Sequence, residues 1–238
     1  MPVNLPRLLI GILIAAYWAR VIHLARKTRR KADHSANIIP PTKWGRITRA
    51  IWFPVVILWI LIPLLASFPL PWYSSSPHPR YSGGGLGRGW NLEDALALTI
   101  NPLFDSPSLQ IAALAIALFA FILTWICWQK MGKSWRMGID PNEKTQLITT
   151  GPYSRIRHPI YALSSLFMLA TALAIPSPLL FLVAAIHLTL LQLESRREEK
   201  YLINAHGQNY VQYHHRTGRF LPRLGVKGTG PFNKGSRP

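Results

Sequence analysis

Residues 160–193, IYALSSLFMLATALAIPSPLLFLVAAIHLTLLQL, form a long uncharged run between two basic segments. A spanning helix needs about 20 apolar residues, so this run is too long for one helix. Proline disfavours helical backbone in the residue before it, and Ile175-Pro176-Ser177-Pro178 interrupts the run. We predict two short helices joined by a tight turn, a hairpin over 160–193 that barely crosses a membrane.

Three more apolar runs predict three more spans. The first begins at Leu8, and the other two lie within 50–79 and 106–129. The first contains Arg20, whose charge can reach the interface from near a helix end. A cleaved signal peptide is the alternative there, but no small-x-small cleavage site follows and the flanking charges are wrong. The predicted fold class is an all-α integral membrane protein with about five transmembrane helices.

The basic residues alternate along the chain, which predicts the orientation. Lys and Arg number eight in 26–49, two in 70–107, six in 130–159 and nine after 193. By the positive-inside rule the N-terminus lies outside and the C-terminus is cytoplasmic. The net charge of +18 therefore needs no nucleic acid to explain it.

The remaining motifs are read as structural. The glycine-rich stretch 83–89 follows no strand, so we interpret it as a linker of an outer loop over 70–107, and 225–238 as a disordered tail. Cys127 is the only cysteine, and the spacing of His206, His214 and His215 matches no strong ligand pattern, so we predict no metal. His187 is interpreted as a helix-packing hydrogen-bond donor.

The segment TTGPYSRIRHPIYA at 149–162 is the first half of a candidate site. Pro159 suits the first turn of a helix, which places His158 near the N-cap. Free N–H groups there favour anions, and Arg155 and Arg157 add positive charge. Gly151 lets backbone approach a ligand, and Tyr153 and Tyr161 offer flat faces. The alternative is a juxtamembrane anchor that binds lipid headgroups.

The segment ESRREEKYL at 194–202 is the second half. Glu194 and Glu198 are four residues apart and share a helix face, with Glu199 beside them. Arg196 and Arg197 lie between the acids. One interpretation is a solvated, salt-bridged face; the other is a rim carboxylate that handles a cation. The predicted hairpin returns beside its start, so the two halves can form one composite site.

Three segments together resemble a known family. MGKSWRMGID (131–140), LITTGPYSRIRHPIYA (147–162) and REEKYLINAHGQNYVQYHHRTGRFLPRL (197–224) resemble the isoprenylcysteine carboxyl methyltransferase family and the related phospholipid N-methyltransferases. The shared pattern comprises Gly151, Pro152, Tyr153, Arg157, His158, Pro159, Tyr161, Glu198, Glu199, Leu202, Gly207, Tyr210, Tyr213 and Pro222. Leu163 and His206 depart from it, where members often carry a glycine and an aromatic residue.

The resemblance implies an S-adenosylmethionine-dependent membrane methyltransferase without a Rossmann domain. Its core would be 130–224, after an N-terminal transmembrane region over 1–129. It also implies a lipophilic or lipid acceptor as the partner. The charge alternation and the histidine spacing predict no nucleic acid and no metal as partners. The implied cofactor-binding residues are Gly151, Tyr153, Arg157, His158, Pro159, Tyr161 and Tyr210; the candidate catalytic residues are Glu198, Glu199, Arg197 and Arg196.

The methyl acceptor stays open. A carboxylate acceptor needs no base, and Arg196 or Arg197 could orient it. An amine or hydroxyl acceptor needs a base, for which Glu198 or Glu199 is the candidate. Two rival functions are an NADPH-dependent sterol- or enone-type membrane reductase and a non-catalytic membrane scaffold.

Overall fold

The fold is a bundle of α-helices, seen in a computed structural model that describes residues 3–31, 43–68, 101–132, 135 and 147–223. The described part contains a 3-10 turn at Gly151–Ser154 and one isolated parallel bridge between Ile156 and Gly218. Its α-helices are α1 Leu5–Lys31, α2 Lys43–Leu65, α3 Pro107–Met131, α4 Pro159–Ala174, α5 Pro178–His206 and α6 Gln208–Arg216. The predicted all-α class is confirmed.

Four of the helices are long and apolar enough to cross a membrane. They are Leu5–Thr28 of α1, all of α2, all of α3 and α5. α4 has only 16 residues, which at 1.5 Å per residue is about 24 Å, less than the hydrocarbon core of a bilayer. The predicted linker at 83–89 and the tail at 225–238 lie outside the described residues.

The predicted hairpin is present, but its second arm differs from the prediction. α4 ends at Ala174, and α5 begins at Pro178 after Ser177, whose Oγ accepts a hydrogen bond from the Leu180 amide at 3.3 Å. The prediction of a short second helix ending near 193 is wrong, because α5 continues for 29 residues to His206. Its charged end is rich in Glu, Arg and Lys, which favour helix. Gly207, at φ +55°, ends it.

The helices close into a ring around a shared core. α1 packs against α2 and α3, α3 against α4, α4 against α5, and α5 against α2. Tyr17 of α1 lies at the centre, with ring contacts to Trp59, Trp128 and Phe167 from three other helices. This ring brings the start of α2 beside the charged end of α5.

His187 of α5 joins three helices through both ring nitrogens. Trp52 Nε1 of α2 donates to Nδ1 at 3.2 Å, and Ser164 Oγ of α4 lies 3.1 Å from Nε2. An indole nitrogen only donates, so Nδ1 carries no proton and Nε2–H faces the serine. The predicted helix-packing role of His187 is confirmed.

Candidate active site

The C-terminal segment after α6 is hydrogen-bonded through its backbone to the residues that precede α4. The amides of Arg157 and His158 donate to the carbonyls of Gly218 (2.8 Å) and Arg219 (3.0 Å), and the Gly218 amide donates to Arg155 O (3.1 Å). A Cβ on Gly218 would lie 1.7 Å from the carbonyl oxygen of Leu221, so the turn accepts only glycine. Residues 217–219 therefore lie along 155–158 of the predicted first half of the site.

Glu199 lies on α5 and binds one arginine from the segment before α4 and one from the segment after α6. It accepts hydrogen bonds from Arg157 Nε at 2.9 Å and from Arg219 Nε and a terminal nitrogen at 3.0 and 2.6 Å. Arg157 also donates to the carbonyls of Thr217 and His214. Two guanidinium groups keep this buried carboxylate ionised, and they occupy both of its oxygens. Glu199 is thus a cross-link between α5 and the two loop segments.

Glu198 has different partners. The Tyr161 hydroxyl donates to Oε1 at 2.6 Å, and His158 Nδ1 lies 3.4 Å from Oε2. The rings of His158 and Tyr161 are stacked, with centroids 5.5 Å apart and planes 4° from parallel. Glu198 therefore lies against a phenol, which donates a hydrogen bond to it, and an imidazole, with which it can exchange a proton.

The charge of His158 is governed by both glutamates. Burial lowers the pKa of this imidazole, but the negative charges of Glu198 and Glu199, whose oxygens lie 3.4 and 3.5 Å from its ring nitrogens, outweigh burial and raise its pKa above the usual value. The protonated form is thus favoured while the two carboxylates stay charged.

Three buried polar atoms at this place lack a hydrogen-bond partner among the described residues. They are the hydroxyls of Tyr153 and Tyr210 and Nε2 of His158, which lies 3.5 Å from Glu199 Oε1 without hydrogen-bond geometry. Burial is the largest cause that raises the pKa of both phenols, so both remain donors at neutral pH. An unsatisfied buried group costs about 1–3 kcal/mol, so three together suit a polar ligand.

The structure gathers most of the predicted site residues but separates two arginines from them. Gly151 starts the 3-10 turn at φ +65°, and Pro159 is the buried first residue of α4. Arg197 instead donates to Glu194 at 3.1 Å, and Arg196 is exposed. The residues that come together around Glu198 and Glu199 are Tyr153, Arg157, His158, Tyr161 and Tyr210.

Sequence reasoning missed three contributors to this region. Arg219 follows Gly218, and the tight glycine turn in "RTGRF" was the available signal. Thr48 of α2 donates to Glu194 Oε1 at 3.0 Å, and the charge of Arg49 acts on Tyr161 and Glu194. No local pattern indicates these two residues, because only the packing of α2 on α5 brings them there.

Fold and site together define a multi-pass α-helical membrane protein with a composite polar site at its helix ends. Residues 108–209 match the family of phospholipid methyltransferases, so the predicted resemblance is confirmed. The matched family is that of the isoprenylcysteine and phospholipid methyltransferases, and the match supports a membrane methyltransferase. The match begins in α3 and ends in α6, so α1, α2 and 217–219 lie outside it.

The chain is also similar to a nickel-cobalt-cadmium resistance protein, NccN, of Alcaligenes xylosoxydans xylosoxydans. The two are 27% identical over 114 residues, which is 48% of this chain and 54% of that protein. The chain thus spans about half the length of the curated relative it matches.

Proposed function

We propose that this protein transfers a methyl group from S-adenosylmethionine to a lipophilic acceptor at the cytoplasmic face of a membrane. The observation that carries the proposal is the set of three unsatisfied buried polar atoms on Tyr153, His158 and Tyr210, beside Glu198 and Glu199. The family match over 108–209 supports the same reaction class.

The residues present fit this cofactor. Its amino acid and nucleoside parts offer both acceptors and donors, which Tyr153, Tyr210 and His158 Nε2 would bind. When bound, it supplies an electrophilic methyl group on a sulfonium. The cross-link from Glu199 to Arg157 and Arg219 would hold the surrounding backbone in place and keep water away.

The two glutamates would have separate roles in the reaction. With an amine or hydroxyl acceptor, Glu198 is the better candidate base, because two arginines occupy Glu199. A proton taken by Glu198 could move to Nδ1 of His158, 3.4 Å away, whenever that nitrogen is unprotonated. A carboxylate acceptor needs no base, and Glu198 would then only position Tyr161 and His158.

The proposed orientation follows the charge pattern. Basic segments flank the end of the bundle that carries the site, so this end would be cytoplasmic and the N-terminus outside. The polar cofactor would enter from the cytoplasm, and the lipophilic acceptor from the bilayer between helices.

A methyl-transfer assay tests the proposal. Purified protein would be placed in liposomes of total membrane lipid, supplemented separately with a long-chain carboxylate and a long-chain amine, and given methyl-tritiated S-adenosylmethionine. We expect label in the organic extract with wild type and none with His158→Ala. Arg196→Gln, which changes an exposed residue on the same helix as Glu198, is the matched control and should transfer label normally. An unlabelled extract from wild type in every arm would contradict the proposal.

A further inference from the structure

We propose that the groove between α1 and α3 binds one anionic phospholipid, whose phosphate is held by Arg20. The inference does not depend on the proposed function, because Arg20 contacts α3 rather than the glutamates and tyrosines of the candidate active site. The bound lipid would join α1 to α3 as a resident component of the helix bundle and would not serve as the methyl acceptor.

Arg20 places a charge inside an apolar span. It is the only Lys, Arg, Asp or Glu between Arg7 and Arg26. It lies eight residues, about 12 Å, before the end of the span at Thr28. Neither α1 nor α3, which pack against each other, contains an acidic residue. The two helices that form the groove therefore offer no carboxylate to neutralise this guanidinium, and a charge in a span indicates a functional position.

The guanidinium of Arg20 is held in a defined place. Its central carbon lies 4.6 Å from the centre of the Trp125 ring of α3, a distance at which a cation is attracted to the ring face. Trp125 in turn contacts the rings of Phe121 and Trp128, each with its centroid 6.3 Å away. The Trp125 ring thus fixes the guanidinium on the α3 side of the groove.

One N–H group of Arg20 is left for a ligand. Within the part of the chain that the structure describes, no group accepts a hydrogen bond from its buried Nε, and the side chain as a whole is half-buried. A buried donor without an acceptor is costly, and a guanidinium matches the oxygens of a phosphate with parallel hydrogen bonds. Basic positions between spanning helices are suited to anionic lipid head groups.

Further basic groups lead from Arg20 toward the end of the span. His23 and Lys27 follow it at steps of three and seven residues, so they lie on the same face of α1. Both side chains are exposed. Lys27 is positively charged, and an imidazole donates at least one N–H in either charge state. The head group of a lipid bound at Arg20 would therefore meet more donors in the direction of the membrane surface.

Apolar side chains continue the same face in the opposite direction. Ala16, Leu13 and Leu9 precede Arg20 by four, seven and eleven residues. Ala16 is small and exposed, Leu13 is partly buried and Leu9 is 37% exposed. A phosphate at Arg20 with acyl chains along this face matches a phospholipid, whereas free inorganic phosphate would use the polar end alone. We therefore assign the site to a lipid.

Counting the lipids bound to detergent-purified protein tests the inference. Phosphatidylglycerol and phosphatidylcholine with the same acyl chains would be titrated in neutral detergent, and bound lipid would be counted by native mass spectrometry. We expect the first phosphatidylglycerol to bind wild type about tenfold more tightly than the first phosphatidylcholine. Arg20→Gln should remove this preference, and Arg20→Lys should keep part of it because a point charge remains. Equal binding of both lipids to wild type, or an unchanged preference in Arg20→Gln, would overturn the inference.

Arg26→Gln is the matched control. Arg26 is an exposed arginine of the same helix, six residues farther on and so about 120° around the axis from Arg20, and its replacement should keep the preference. A loss as large as that in Arg20→Gln would mean general charge attraction and sink the proposed site. Displacement of bound phosphatidylglycerol by excess inorganic phosphate would likewise overturn the assignment to a lipid.

A second variant keeps the test decisive if Arg20→Gln does not fold. Trp125→Leu retains the charge of Arg20 but removes the ring that holds it, so the preference for phosphatidylglycerol should fall by about threefold. A full preference in folded Trp125→Leu would show that the groove between α1 and α3 is not the binding site.

Discussion

The hydroxyl of Tyr161 donates a 2.6 Å hydrogen bond to Glu198, whereas the adjacent Glu199 is bonded to Arg157 and Arg219. Two neighbouring carboxylates on one helix thus have different surroundings. Glu199 cross-links chain segments, and Glu198 lies against the Tyr161 hydroxyl and the His158 imidazole. The stacked ring of His158 contacts both acids and connects the two environments.

Replacing the two glutamates separately should give different phenotypes. Glu199→Gln leaves Arg157 buried beside a neutral partner, a loss of about 3 kcal/mol, so the unfolding midpoint should fall by roughly 6–12 °C. Glu198→Gln should change the midpoint by less than about 3 °C, because Tyr161 can still donate to the amide oxygen. Thermal unfolding in detergent measures both. Equal midpoints for the two variants would contradict the division of roles.

The tight turn at Gly218 should be intolerant of a side chain. Gly218→Ala places a Cβ against the Leu221 carbonyl. It should break the backbone hydrogen bonds that the amides of Arg157 and His158 donate to this segment. We expect S-adenosylhomocysteine affinity to fall at least tenfold, measured by calorimetry. Gly132→Ala, which is strained by its φ of +50° although nothing lies within 4 Å of the added Cβ, is the control for backbone strain away from this segment and should keep the affinity. Unchanged affinity in Gly218→Ala would show that 217–219 does not support the site.

The pairing of His158 with the glutamates should make stability depend on pH. Its pKa is raised above 6.5 in the folded protein, so the contribution is fully present below pH 6.5 and is lost as pH rises through the folded pKa. The stability advantage of wild type over His158→Gln should therefore shrink as the pH is raised above 6.5. Thermal unfolding of both proteins from pH 6.5 upward measures the difference. An advantage that grows with pH would contradict the assigned charge state.

The polar contacts of His187 should stabilise the bundle without serving the site. His187→Leu leaves the Trp52 indole N–H and the Ser164 hydroxyl without this partner, which should cost about 1–3 kcal/mol. The expected result is a lower unfolding midpoint with S-adenosylhomocysteine affinity retained in the folded protein. A variant of normal stability that fails to bind S-adenosylhomocysteine would place His187 in the site instead.

Local sequence signals predicted the parts of the structure that depend on short-range chemistry. Pro176 and Pro178 indicate the turn between α4 and α5, and the hairpin then implies that 149–162 and 194–202 meet. The length of α5 was missed because the end of an apolar run was taken as the end of a helix, although charged residues continue the same helix to His206. Glu194 ends the apolar run, whereas Gly207 ends the helix.

The contacts that cross the bundle could not be predicted in this way. Arg196 and Arg197 lie between the glutamates in sequence, but successive helical residues point in different directions. Arg197 therefore meets Glu194, one turn away, and Arg196 faces outward. Thr48 and Arg49 reach the site through packing of α2 on α5, which no local pattern specifies.

Cofactor binding to detergent-purified protein tests most directly whether this protein uses S-adenosylmethionine. Calorimetry would compare S-adenosylhomocysteine with NADPH on wild type, on His158→Ala and on Arg196→Gln as the matched control. We expect S-adenosylhomocysteine to bind to wild type and Arg196→Gln, His158→Ala to weaken binding at least tenfold, and NADPH not to bind. Binding of NADPH alone would contradict this expectation and assign the protein to the reductases.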